Sequence, residues 1–195
     1  MLTATYSIVT ISNEQKNARS ILFRLQQVVN NIWNTLAKLD LPTVESTLEK
    51  LERFDSYCHC RKVELYVIPA VRGTNGEIDS LIGELEALSM RGVQILRSLH
   101  QQLRQGFAKG VIKLSDLRES MELYCRNRTE MLAKEENELL PLVRRTLSGD
   151  AWFSIAAQFL SDDGQARNGK RDDAFPYDGA HDLESRHLPD ASPQP

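Results

Sequence analysis

The chain is 195 residues long, with 24 basic and 27 acidic side chains and a formal net charge of −3. That length fits one domain with a real core. The near-neutral balance offers no broad basic surface to a phosphate backbone, which disfavours nucleic acid as a partner. No apolar run approaches the roughly 18 residues a transmembrane helix needs, so no membrane partner is expected. Residues Met1 to Thr10 lack the basic and long apolar regions of a secretory leader, so a cytoplasmic location is expected. Cys58, Cys60 and Cys125 make an odd number, a poor disulfide framework. They should be thiols in a reducing compartment.

Four segments carry helical periodicity in chain order. In the first, Ile21, Leu22, Leu25, Val28, Val29, Ile32, Trp33 and Leu36 recur at three- and four-residue steps, and Ser12 with Gln15 resembles a capping box ahead of them. Leu41-Pro42 breaks the chain. The second carries Leu48, Leu51, Phe54, Tyr57, Cys58, Leu65 and Ile68, and ends before Gly73-Thr-Asn-Gly76. The third runs from Ile78 through Leu81, Ile82, Leu85, Leu88, Val93, Leu96 and Leu99 to Leu103, and Gly106 to Gly110 ends it. Ser115 can cap the fourth, with Leu117, Met121, Tyr124, Cys125, Leu132, Leu139, Leu140 and Val143 on its apolar face. No strand alternation stands out. The pattern predicts an all-α, up-down-up-down four-helix bundle over residues 1–160.

Residues 161–195 differ in kind. They hold eight acids, four bases and four of the seven prolines, with few hydrophobic residues. Such a segment is too polar to offset its ordering entropy, and it reads as a disordered acidic tail. It is a solvated end, or alternatively a tether or docking peptide.

Two stretches of the chain repeat one arrangement. His59-Cys-Arg-Lys-Val63-Glu64-Leu-Tyr-Val-Ile-Pro69 and Met131-Leu-Ala-Lys-Glu135-Glu136-Asn-Glu138-Leu-Leu-Pro141 both place Lys seven positions, and an acid five positions, before a proline. The arrangement falls on the second and fourth segments and resembles the paired ligand helices of the hemerythrin-like (HHE cation-binding) family. The resemblance covers roughly residues 10 to 153. It implies a four-helix bundle holding two irons, with one His from each of the first and third helices and His-x-x-x-Glu from each of the second and fourth. Residues i and i+4 share a helix face, so both reach one ion.

Carried over residue by residue, the family's first-helix His falls on Gln15, in Gln15-Lys16-Asn17. Its third-helix His falls on Ser89, in Ser89-Met90-Arg91-Gly92. The second-helix pair falls on His59 and Val63, and the fourth on Met131 and Glu135. Two of six ligands, His59 and Glu135, are kept. Val63 and Met131 suit core packing, Met filling irregular space. His59 is then expected to hydrogen-bond Glu135 or Gln15, since buried polar groups need partners.

Adjacent helical residues point about 100° apart, so Cys58, His59 and Cys60 cannot bind one ion together. Packing is expected for Cys58 and a surface thiol for Cys60. No phosphate-binding Gly loop, Gly-x-Ser-x-Gly elbow or His-Glu-x-x-His is present. No catalytic residue is assigned. The expected function is a non-enzymatic regulatory or interaction module for a protein partner, with a degenerate di-iron pocket and no cofactor. The alternative is a protein with a divergent iron site that senses or handles oxygen, nitric oxide or iron.

Overall fold

A computed structural model describes residues 2–34, 41–109 and 114–168, with side chains assigned over most of that range. The described chain is all-helical, with no strand among those residues. Helix α1 spans Leu2–Asn34, α2 Leu41–His59, α3 Ile68–Val71, α4 Gly76–Lys109, α5 Leu114–Lys134, α6 Leu140–Thr146 and α7 Gly149–Asn168. The side chains of Ile32, Trp33 and Leu36, and everything from residue 169 on, lie outside the described residues.

Helix α1 buries one stripe, Ile11, Gln15, Ala18, Leu22, Leu25 and Val29, at three- and four-residue steps. It begins ten residues before Ser12, so the expected capping box is an interior turn of a longer helix. Ser115, expected to cap α5, lies in its first turn with its hydroxyl 3.1 Å from Asp116 Oδ1. Gly73 turns the chain between α3 and α4 at φ 77, a conformation glycine adopts without steric cost.

Neighbouring helices are tied in antiparallel order. Asn17 bonds Tyr57 and Glu14 bonds the Lys62 backbone, so numbering falls along α1 as it rises beyond α2. Gln26 bonds Thr129 while Gln15 bonds Glu135, which sets α1 against the α5 strand of chain in the same sense. Gln102 with Ser120, and Glu84 with Lys134, do the same for α4 and α5. Glu52 with His100, and Arg72 with Glu86, link the second and fourth helices likewise. The most extensive packing is between α4 and α5.

The two repeated stretches adopt the same backbone device. Val63–Val67 and Glu135–Leu139 are π turns. Each closes with a donor five residues on, Ile68 to the Val63 carbonyl and Leu140 to the Glu135 carbonyl. Each is followed at once by its proline, Pro69 or Pro141, at the start of α3 or α6. Proline has no N–H and crowds the carbonyl four residues back. Widening the helix by one residue before the ring relieves both problems, so the chain continues as helix past each proline.

The expected boundary between body and tail at residues 160 and 161 falls inside α7, which runs on to Asn168. Trp152, Ile155, Ala156 and Phe159 are buried, and the helix packs on α1 and on the first π turn. The Phe159 ring meets Tyr66 edge-on at 5.5 Å, with the Lys62 ammonium 5.0 Å from its centroid. Its apolar anchors all precede residue 161, so the net acidity of residues 161–195 gave no sign that the helix continues into them.

Candidate functional site

The interior feature that sets this core apart is charge. Arg61 and Glu135 are both fully buried, at 0% exposure of their side chains. Arg61 reaches the interior because α2 ends just before it. The Cys60 N–H closes a tight turn on the Tyr57 carbonyl at 3.1 Å, and regular helix resumes only at Lys62. In an unbroken helix, residues 59 and 63 would share one face. The turn instead sends His59 and Cys60 to the surface and brings Arg61 inward with Cys58 and Val63. The Glu14 carboxylate secures the restart by accepting the Lys62 backbone N–H at 2.7 Å.

Arg61 Nη2 donates to both oxygens of Glu135, at 2.6 and 2.7 Å, and Nη1 donates to Gln15 Oε1 at 3.2 Å. Gln15 Nε2 donates in turn to Glu135 Oε2 at 2.6 Å. Arg61 Nε lies 3.3 Å from the Cys58 carbonyl. Burial pushes the guanidinium pKa down, but the Glu135 carboxylate outweighs it and holds that pKa above its usual value. The cation therefore stays charged inside the core. Around it, burial raises the carboxyl pKa of Glu14 against the pull of the Lys62 N–H, and raises that of Glu64 with help from the Glu135 charge.

A second buried cation stands nearby. Arg128 of α5 donates to Asp55 Oδ1, to Met131 Sδ at 3.1 Å and to the Ser89 carbonyl at 3.4 Å. Its guanidinium lies 5.4 Å from the Tyr124 ring centroid, and the Tyr124 hydroxyl is 3.0 Å from Asp55 Oδ1. Space for the guanidinium comes from Gly92, where an added Cβ would lie 2.4 Å from Arg128 Nη2. Desolvation works against ionised Asp55, but its bonds to His59, Arg128 and Tyr124 leave its pKa below the usual carboxylate range.

Of the residues expected to converge, Gln15 and Glu135 do meet, and Val63 and Met131 are buried in the same core. Ser89 contributes its backbone carbonyl to Arg128. His59 does not join Glu135 or Gln15. It is exposed, and its Nε2 lies 3.7 Å from Asp55 Oδ2 at the outer edge of the second cluster. The bond to Asp55 raises the imidazole pKa. The partner expected from His59 comes from Arg61, two residues on. Cys58 and Cys125 are buried, Cys60 is exposed, and all three are free thiols.

This donor set does not fit an iron ion. Both Glu135 oxygens are engaged by a fixed cation, whose charge repels another. Among the described residues, no three His, Cys, Asp or Glu side chains gather where they could hold a metal ion. Arg61, Arg128, Asp55 and Tyr124 are the site residues that the family pattern missed. For Arg128 the signal was positional: it follows Met121 by seven residues and Tyr124 by four in one continuous helix, and so sits on an apolar stripe, whereas Arg61 follows a break that no fixed helical step crosses. No helix among the described residues is long and apolar enough to cross a membrane. No protein-family model, curated protein or solved structure matches this chain.

Proposed function

We propose that this chain is a hemerythrin-like, up-down-up-down four-helix bundle whose metal pocket has been taken over by arginine, and that it works as a non-enzymatic regulatory or interaction module. Four antiparallel pairings support the bundle: α1 with α2, α2 with α4, α4 with α5, and α5 with α1, a closed ring of neighbours. The matched π turns before Pro69 and Pro141 support reading the segments that begin with α2 and α5 as the family's two ligand helices. The observation that carries the functional reading is the Arg61 guanidinium, which holds both oxygens of Glu135 and the amide of Gln15. A retained iron-sensing site would need those same atoms free.

The test is expression in iron-supplemented medium, followed by elemental analysis and visible absorption of the purified chain. A colourless protein without stoichiometric iron is expected. One or more irons per chain, with charge-transfer absorption, would overturn the reading.

A further inference from the structure

Arg61 sits on a break in the helix, so its place depends on how the chain is held to either side. The Cys60 and Arg61 N–H groups reach back three residues, to the Tyr57 and Cys58 carbonyls at 3.1 and 3.5 Å. Helix resumes at Lys62, whose backbone N–H goes to the Glu14 carboxylate at 2.7 Å. The Lys62 ammonium lies 5.0 Å from the centroid of the Phe159 ring, on α7. One turn on, Tyr66 meets the same ring edge-on at 5.5 Å and donates its hydroxyl to the Asp162 carboxylate, also on α7. Lys62 and Tyr66 thus bracket Val63, where the first π turn begins, and α7 touches both. The second π turn packs on α4 instead. Arg128 also takes its partners elsewhere: Asp55, Ser89, Tyr124 and Met131 belong to α2, α4 and α5.

We propose that α7 is a clamp on the arginine pocket. Docked, it fixes the restart of the helix at Lys62 and so keeps Arg61 on Glu135. Lifted, it lets the break shift and Arg61 leave. Two features allow α7 to move apart from the long helices. Leu147 joins it to α6 in extended backbone, at φ −72 and ψ 132, so α7 swings away without unwinding α6. It is also held from one side: Trp152, Ile155, Ala156 and Phe159 are buried, whereas Phe153 and Leu160 are 61% and 59% exposed. A segment with few buried apolar contacts opens at a lower free energy than the centre of the core. Docking of α7 and burial of Arg61 then form one equilibrium, and such coupling is reciprocal. Whatever holds α7 down holds Arg61 in, and whatever draws Arg61 out loosens α7.

The clamp supplies a means of regulating the arginine-filled pocket and rests on that reading. The test is solvent exchange of guanidinium protons in the full chain, followed by nuclear magnetic resonance. Protons held in buried bonds exchange through opening of the structure, so Arg61 and Arg128 should both exchange slowly in the wild type. Phe159→Ala should speed exchange at Arg61 by about tenfold or more and leave Arg128 unchanged, since only the Arg61 site is opened locally. Phe153→Ser, on the exposed side of α7, should move neither. If Phe159→Ala loses helicity by circular dichroism, Tyr66→Phe, which removes one hydroxyl and keeps the ring, is read in its place by the same criteria. Fast exchange at Arg61 in the wild type would overturn the pocket reading and the clamp together. Slow exchange at Arg61 that Phe159→Ala does not change would overturn the clamp alone. Equal acceleration at Arg61 and Arg128 would do so too, because α7 would then support the whole core, as would a response to Phe153→Ser as large as that to Phe159→Ala.

Discussion

Arg61 and Glu135 stand 74 residues apart in sequence and 2.6 Å apart in space, each the other's counter-ion in a site that solvent does not reach. Removing one member leaves the other charged and unpaired in the core, a change that costs about 3–5 kcal/mol. Arg61→Met and Glu135→Leu should each destabilise by that order. The double variant should recover most of the loss, because an apolar pair of similar volume needs no counter-charge. Urea unfolding of the four proteins in the cycle measures the coupling. Additive single losses would mean that the two side chains do not depend on each other.

Two glycines of one helix offer a matched comparison. At Gly92 an added Cβ would lie 2.4 Å from Arg128 Nη2, whereas at Gly83 nothing lies within 4 Å. Gly83→Ala should stabilise by about 0.5–1 kcal/mol through helix propensity alone. Gly92→Ala should instead destabilise by about 1–3 kcal/mol, because the guanidinium must leave its place beside Asp55. Thermal unfolding should move the two variants in opposite directions. Equal behaviour would place Arg128 elsewhere.

Proton uptake should favour folding over a broad range. The bond to Asp55 raises the His59 pKa above 6.5, and burial raises those of Glu14 and Glu64 above 4.5. A raised folded pKa means that the native state holds its proton more tightly, so each contribution is complete below the unfolded pKa and is lost as pH rises through the folded one. Asp55 has the opposite sign: its pKa is lowered from 3.8, and its contribution fades as pH falls through the folded value. Stability should therefore rise as pH drops from 8 to about 5, then fall in strong acid. Urea midpoints across that range test the sign, and His59→Gln should flatten the upper part of the slope. A maximum above pH 7 would contradict the assignment.

Adding ligands should not be enough to create a metal site. Gln15→His, Val63→Glu, Ser89→His and Met131→His together leave Arg61 on Glu135, and should bind no iron. Adding Arg61→Ala removes the competing cation and should be the minimum change that permits loading. Elemental analysis of the quadruple and quintuple variants separates the two steps. Stoichiometric iron in the quadruple variant would mean that Arg61 leaves the pocket readily.

The apolar periodicity of Leu22, Leu25 and Val29, or of Leu81, Leu85 and Leu88, was legible because burial on one face demands it. The repeated spacing before Pro69 and Pro141 was legible too, and it corresponds to a pair of π turns. The rest was hidden for physical reasons. A fixed four-residue step from His59 assumes unbroken helix, and the turn at Cys60 rotates the next residues out of that phase. Arg61 and Arg128 look like surface residues by type, since arginine is rarely fully buried unless paired. Their partners, Glu135 and Asp55, lie 74 and 73 residues away. Helix α7 was not among the four expected segments, and the boundary set by composition at residue 160 runs through it, where packing by Trp152 and Phe159 decides.

The tether of Arg61 to the chain has a thermodynamic consequence. A core that takes its central cation from solution has a folded population set by mass action, rising and falling with the free concentration of that ion. Here the cation for Glu135 arrives with the backbone at an effective concentration fixed by the fold itself. The folded fraction should then be indifferent to chelators and to metal supply, so that abundance of the folded chain carries no record of metal availability.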